Sequence, residues 1–334
     1  MYIQSCPYYL QKVNALDELE SEILKLGGSA CVLLNTRFLV EVKLLINDCP
    51  VECIPFDEEI TLAALNTLAS TVLENELEVI VGIGGGKVLD CAKALAERLK
   101  LPCIVAPSSP SMDGATSALS IIYSESGEVE KILHLSNHPR LCLVDETLLL
   151  NAPPKLFKAG VCDALSSYIE GRDAYSSISA QVIAKACFDT LINESEAAYH
   201  ACLNQTPHES FSHCIEAILY MSCFAFENTH ESLTHALAHS FTQIPALKSL
   251  MHGESVGLAL LIHLNLINDS ILNKQVNRIY KLLSIPKSFT EAGIDLDNEQ
   301  MKQLTHLTIN NELSANYKGE LDASILYKSI QSLI

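Results

Sequence analysis

The sequence predicts two domains of different class, an α/β domain built on a parallel sheet over residues 1–150 and an all-α helical domain over residues 151–334. Three observations predict it. Short apolar runs alternate with stretches of helical periodicity through the first half of the chain, a glycine-rich turn follows one of those runs and opens a helix, and strand signals almost vanish after Asn151-Ala152-Pro153-Pro154. A chain of 334 residues is long for one core, and 49% hydrophobic against 19% charged residues supports a large buried interior.

In chain order, the apolar runs Ala30–Leu34, Val51–Pro55, Val79–Gly82, Cys103–Ala106 and Leu141–Val144 are predicted strands. Between them, Leu16–Leu26, Thr36–Ile46, Glu58–Leu73 and Lys87–Lys100 repeat apolar residues at helical spacing. Ala118–Tyr123 is a β-branched run leading to a turn at Glu125-Ser126-Gly127, which reads as a hairpin inserted in the sheet domain. From residue 151 onward, long Ala-, Leu- and Ser-rich helical stretches run to Ile334.

A net charge of -18 opposes binding to phosphate backbones and anionic lipid surfaces, so the expected partners are small molecules or like subunits in a homo-oligomer. No apolar run reaches the roughly 18 to 20 residues of a membrane span. Met1 to Cys6 lacks the basic and apolar regions of a signal peptide, and a cytoplasmic location is expected. Twelve cysteines without a C-x-x-C pair, most of them in apolar runs, read as reduced core thiols.

Gly82-Ile83-Gly84-Gly85-Gly86-Lys87-Val88-Leu89-Asp90 follows a strand and opens a helix, where backbone N–H groups and the helix dipole can hold a pyrophosphate. Lys87 stands where G-x-G-x-x-G has its third glycine, and Val88 offers no hydroxyl for magnesium, so NTP hydrolysis is not expected. The turn points to a Rossmann-like, dinucleotide-binding domain; the competing reading is a tight turn without a ligand. Pro107 to Ser117 is a hydroxyl-rich loop with one carboxylate, Asp113, placed after a strand where ligands bind in such sheets. The same composition also suits a solvated turn.

His235 and His239 are four residues apart, which on a helix places them within roughly 40° of each other. Two imidazoles leave a tetrahedral metal site short of ligands, and His252, in His252-Gly253-Glu254, is the candidate third. Buried helix histidines are the alternative. Asp163 stands in the otherwise apolar stretch Ala159 to Leu165, where a buried carboxylate needs a cation or strong donors; a helix N-cap is its innocent role.

Taken together, Gly84-Gly85-Gly86-Lys87-x-x-Asp90, Thr116 to Tyr123, Leu143-Val144-Asp145, Asn151-Ala152-Pro153-Pro154, Gly160-x-x-Asp163-Ala164-Leu165, and His235 with His252-Gly253-Glu254 carry a resemblance over nearly the whole chain. The sequence resembles the metal-dependent polyol dehydrogenases of the iron-containing alcohol dehydrogenase superfamily, and among them the glycerol dehydrogenases. The resemblance implies a dehydroquinate synthase-like fold and a divalent metal held by Asp163, His235 and His252. Ser167 stands where the iron enzymes carry a fourth histidine, which favours zinc over iron. It implies NAD on Gly84, Gly85, Gly86, Lys87 and Asp90, a cofactor channel lined by Ser108, Ser111, Ser117, Leu119 and Tyr123, and substrate contact at Asp113. Asn35 stands where the resembling enzymes hold the adenine ribose with an aspartate, which leaves NADP open.

The implied reaction is oxidation of a small polyol, by default glycerol to dihydroxyacetone, with His239 relaying a proton or shaping the nicotinamide pocket. Ser111-Met112-Asp113-Gly114 also resembles the loop of sn-glycerol-1-phosphate dehydrogenases, so that substrate, or a 2-hydroxy or 2-oxo acid, is the alternative. The segments near Asp113 and the expected metal are poor in lysine and arginine, which favours a neutral substrate. A lyase resembling dehydroquinate synthase and a non-catalytic sensor are the remaining alternatives.

Overall fold

A computed structural model describes residues 3–125, 129–172 and 177–334. Of the expected turn at Glu125-Ser126-Gly127, Ser126 and Gly127 lie outside the described residues. The chain divides into two compact units: Ser5–Pro110 with Gly114–Ala152, and Met1–Gln4, Ser111–Asp113 with Pro153–Ile334. The first is a parallel-sheet unit and the second is helical, as the sequence predicts.

The sheet unit contains β1 (Tyr9–Lys12), β2 (Ala30–Leu34), β3 (Val51–Pro55), β4 (Val79–Gly84), β5 (Cys103–Pro107) and β8 (Leu141–Asp145), all parallel, in the order β1-β8-β5-β4-β2-β3. Every residue of β2, β4, β5 and β8 is buried, which is why these strands read as continuous apolar runs. β1 was not legible in the sequence. It is a four-residue edge strand of Tyr, Leu, Gln and Lys, and a half-exposed edge carries little hydrophobic pattern. From β2 the chain moves outward to β3, then returns to the other side of β2 for β4. The order therefore reverses between β2 and β4, and in open α/β sheets ligands bind outside the carboxyl ends of the strands at such a point.

Helices α1 (Leu19–Leu26), α2 (Leu39–Leu45), α3 (Leu62–Glu74), α4 (Gly86–Leu99) and α5 (Glu146–Leu150) complete the layers. The first two predicted helices each begin as a 3-10 turn, Ala15–Glu18 and Thr36–Phe38. The third starts at Leu62 and not at Glu58, because the Thr61 hydroxyl caps it by accepting the Ala64 N–H at 3.1 Å. The expected hairpin exists as β6 (Leu119–Tyr123) and β7 (Val129–His134), antiparallel, but it forms a two-stranded sheet of its own.

The helical unit runs through α6 (Pro154–Gly171), α7 (Ile178–Asn204), α8 (Glu209–Glu216), α9 (Ser222–Thr229), α10 (Leu233–Phe241), α11 (His252–Ile267), α12 (Ser270–Leu282), α13 (Asn298–Ile309) and α14 (Ala323–Gln331). A π-helical turn, Ala217–Met221, joins α8 to α9. Phe157, Phe188, Phe211, Phe241 and Phe289 are fully buried in this unit. Among the described residues, no helix is long and apolar enough to cross a membrane.

Candidate functional site

In the helical unit, three segments converge. Asp163 lies in the middle of α6 and is fully buried, which removes its N-cap alternative. His235 is buried on α10, with the His239 ring 6.4 Å away on the same helix, as their spacing predicts. After α10 a 3-10 turn at Pro245–Leu247 reverses the chain, and α11 opens at His252. Gly253 makes the approach possible: a Cβ there would stand 2.1 Å from the Ala159 carbonyl oxygen on α6. Only glycine lets these two backbones meet so closely.

The result is a set of donors facing one another. The Nε2 atoms of His252 and His235 lie 3.2 and 3.6 Å from Asp163 Oδ1, and one ligand atom from each of the three residues lies within 4.8 Å of the others. Neither imidazole meets Oδ1 in hydrogen-bond geometry, so this buried oxygen has no hydrogen-bond partner, while Oδ2 accepts the Asp113 backbone N–H at 3.1 Å. A buried carboxylate oxygen without a donor is costly, and two imidazole nitrogens plus a carboxylate are a donor set suited to a divalent cation. The residues present therefore fit such an ion.

A carboxylate that the sequence reading passed over orients this set. Glu170, also on α6, holds His235 Nδ1 at 2.6 Å with Oε2, while Oε1 accepts the backbone N–H groups of His235 and Ser232 at 3.1 and 2.8 Å. This pairing assigns the proton to Nδ1 and leaves Nε2 facing Asp163. Burial opposes charge on Asp163, but the His252 and His235 imidazoles hold its carboxyl well below the usual range. Burial also opposes a charged His235, yet Glu231 and Glu170 push its pKa well above that of an ordinary imidazole. Burial, then the neighbouring His235 and His252, lowers His239 to about 4, so its ring is neutral near pH 7.

Asp113 belongs to this unit. The Ser222 hydroxyl donates to its Oδ2 at 2.7 Å, and Ser167 shares a hydrogen bond with Ser222, also at 2.7 Å. Ser222 follows the π-helical turn directly, and such turns commonly mark functional sites. Ser167 is thereby committed to a hydroxyl chain. Burial and the adjacent Asp163 push the Asp113 carboxyl well above the ordinary carboxylate range.

In the sheet unit, the glycine turn joins β4 to α4 beside the switch point. A Cβ at Gly84 would stand 2.8 Å from Val88, so that glycine serves packing, whereas around Gly85 nothing lies within 4 Å. Gly85 is the extended N-cap and Gly86 the first residue of α4, leaving open backbone where an anion could approach. Ser108 N–H binds the Gly84 carbonyl at 2.8 Å, and its buried hydroxyl accepts from Arg37 at 3.3 Å. Lys87 is paired with Glu59.

Other expected cofactor contacts fall differently. The Asp90 carboxylate is used inside the unit: Oδ1 lies 2.9 Å from the buried Lys93 ammonium, and Oδ2 accepts the Ile121 N–H at 3.2 Å. Lys93 also reaches the Gly114 carbonyl at 2.9 Å and the Ser117 hydroxyl at 3.2 Å, so Asp90 and Ser117 brace the hairpin and the preceding loop. Leu119 and Tyr123 share the half-exposed face of β6, and Ser111 groups with the helical unit. Asn35, at the end of β2, donates to Asp57 Oδ1 at 2.5 Å, and Thr36 binds the same carboxylate. Asp57 is thus a carboxylate at the expected ribose position that sequence reasoning missed; its signal was an aspartate two residues beyond a strand.

Residues 7–146 match the family model described as iron-containing alcohol dehydrogenase. The glycerol dehydrogenase of Pseudomonas putida is 31% identical over 315 residues, covering 89% of this chain and 86% of that protein. That of Citrobacter freundii is 33% identical over 260 residues, covering 74% and 71%. The crystal structure of glycerol dehydrogenase from Schizosaccharomyces pombe superposes with a TM-score of 0.91 at 27% identity, over 99% of this chain and 90% of that one. The chain belongs to the iron-containing alcohol dehydrogenase family and is an oxidoreductase acting on alcohols.

Proposed function

We propose that the protein is a divalent-metal, NAD-dependent dehydrogenase of a small neutral polyol, with glycerol to dihydroxyacetone as the default reaction. The observation that carries this reading is the convergence of Asp163, His235 and His252 around a buried carboxylate oxygen that has no hydrogen bond. The names of its relatives, glycerol dehydrogenases at 31% and 33% identity, support the substrate class. Zinc is the proposed ion, since three N and O ligands from protein with further coordination open are the usual catalytic zinc arrangement, and Ser167 is engaged elsewhere.

Held by Asp163, His235 and His252, a divalent ion would supply Lewis acidity toward an alcohol hydroxyl, and NAD would supply the hydride acceptor. The chain's own residues supply position and charge. Glu170 locks the His235 ring so that Nε2 is available. Asp113, fixed by Ser222, is placed to orient a second substrate hydroxyl. His239, lowered to about 4, is a weak base and stands beside His235 as an uncharged ring. Gly84, Gly85, Gly86 and the first turn of α4 offer the pyrophosphate a backbone cradle, and the Asp57 carboxylate beside Asn35 favours ribose hydroxyls over a 2′-phosphate. Asp113, Glu170, Glu231 and Ser222 stand beside the ligand set, and none of them supplies a positive charge to pair with a phosphorylated or carboxylated substrate.

The test is NADH formation by zinc-loaded protein on glycerol, small diols, glycerol phosphates and 2-hydroxy acids, with His252→Ala in parallel. Glycerol or a small diol is expected to give turnover, and His252→Ala to lose both bound zinc and activity. A His252→Ala protein with full zinc content and full activity would overturn the assignment.

A further inference from the structure

The glycine turn offers a pyrophosphate open backbone but no free lysine. Lys87, in the first turn of α4, is paired with Glu59. With a net charge of -18 on the chain, a pyrophosphate reaching that turn needs a cation of its own. Arg37 can supply it. This arginine is exposed in the 3-10 turn Thr36–Phe38 that follows β2, and it forms no ion pair among the described residues.

The guanidinium has a defined place. One Nη donates to the Ser108 hydroxyl at 3.3 Å, and the guanidinium carbon stands 4.4 Å from the centre of the buried Phe38 ring. Ser108 is the first residue after β5, Arg37 comes from the end of β2, and β4 lies between those two strands. Backbone bonds tie both flanks of the β4 end to this pair. The Asn35 N–H donates to the Ile83 carbonyl at 3.2 Å, and the Ser108 N–H to the Gly84 carbonyl at 2.8 Å. Neighbouring strands lie about 4.8 Å apart, so a side chain that starts beyond β2 and ends beside β5 crosses the end of β4. That end is where Gly84, Gly85 and Gly86 lead into α4.

The direction of the side chain selects between the phosphates of a dinucleotide. Arg37 reaches toward β5, whereas Asp57, two residues beyond β3 on the other side of β2, is held by Asn35 and Thr36. The carboxylate thus stands on the side of the adenine ribose and the cation over the glycine turn.

We propose that Arg37 pairs with the pyrophosphate of the dinucleotide across the glycine turn, its planar fork exchanging the long bond to Ser108 for charge-assisted bonds to phosphate oxygens. The inference rests on the seating of NAD at this turn proposed above, and adds the cation that the backbone cradle lacks.

The experiment measures equilibrium binding of NADH, NADPH and ADP-ribose, by fluorescence and calorimetry without turnover, to wild type, Arg37→Gln and Gly85→Val. Melting temperatures with and without NADH accompany it. Gly85 is extended and an added Cβ there meets nothing within 4 Å, so Gly85→Val leaves the fold unstrained and fills the open space. Arg37→Gln is expected to weaken all three ligands by a common factor of about tenfold or more, since all three carry the pyrophosphate. Its cofactor-free form should melt no lower than wild type, and the rise in melting temperature on adding NADH should shrink. Wild-type NADH affinity in Arg37→Gln, alongside lost binding in Gly85→Val, overturns this inference and leaves the cradle standing. Wild-type NADH affinity in Gly85→Val overturns the cradle and the inference with it. A loss confined to NADPH assigns the guanidinium to a 2′-phosphate and overturns the pyrophosphate pairing. A cofactor-free Arg37→Gln that melts lower while keeping the full NADH-induced rise shows a structural role and also overturns it. If Arg37→Gln does not fold, Arg37→Met, which keeps an apolar stem over Phe38, is read by the same criteria.

Discussion

At the scale of single residues, the strongest dependence is that of His235 on Glu170. Both Glu170 oxygens are occupied, one by the ring and one by two backbone N–H groups, so the substitution Glu170→Gln keeps the shape and removes the charge. It is expected to weaken zinc binding by about 10- to 100-fold, measured by chelator competition, because outer partners of a ligating histidine act on that scale. Asp57 carries a second residue-level expectation. Asp57→Asn should lower the ratio of kcat/KM for NAD over NADP by about tenfold, equivalent to roughly 1.4 kcal/mol, by removing a charge that repels a 2′-phosphate. An unchanged ratio in steady-state assays would place the ribose elsewhere. Legibility at this scale differed from residue to residue. Asp163, His235 and His252 were legible as one set through the family resemblance, since residue type alone also offered His239 and left Asp163 open as a helix cap. Glu170 was readable as a carboxylate two helical turns beyond Asp163 on the same face. Ser222 carried no signal, since its meaning comes from the π-helical turn before it and the Asp113 carboxylate that it meets.

At the scale of elements, the centre depends on how closely α11 meets α6. The Gly253 contact is with backbone, 2.1 Å from a carbonyl oxygen for any added Cβ, so no side-chain rotation can relieve it. Gly253→Ala should cost about 3 kcal/mol or more, beyond ordinary overpacking, and should weaken zinc binding as His252 is pushed away from Asp163. Denaturant unfolding and zinc titration of one preparation measure both effects; unaltered stability would mean that the helices separate freely. The sequence revealed the elements better than their ends. Buried strands such as β4 and β5 announced themselves as apolar runs, whereas the start of α3 depended on a threonine cap and the edge strand β1 on pairing with β8. A cap and an edge are settled by hydrogen bonds, which hydrophobic periodicity does not report.

For the whole molecule, the twelve cysteines summarise how apolar the interior is. All but Cys53 are buried among the described residues, and none is in a disulfide. Burial pushes Cys31, Cys103, Cys162 and Cys202 up to about 12, and raises Cys53 as well. Thiolate is the reactive form, so alkylation of the native protein at pH 8 should be slow and should reach Cys53 first, with the remaining thiols labelled only after unfolding. Mass spectrometry of timed samples checks this; rapid labelling of several cysteines would show that the interior opens readily. The two-class architecture was legible because each class leaves its own periodicity, whereas the grouping of Ser111–Asp113 with the helical unit follows from contacts made far along the chain.

The exposures of the three converging side chains also bear on rates. The Asp163 and His235 side chains are at most 2% exposed, whereas that of His252 is 42% exposed and sits on the first residue of a helix. Two donors are therefore fixed in the interior, and the third reaches solvent on a helix start that Gly253 seats against α6 and that the Glu254 carboxylate caps by accepting the Met251 N–H at 2.9 Å. Ion exchange should proceed through that helix start, with a rate set by its local opening and independent of global unfolding. A substitution that stiffens the start of α11 would then lengthen the residence time of the ion while leaving its entry geometry intact.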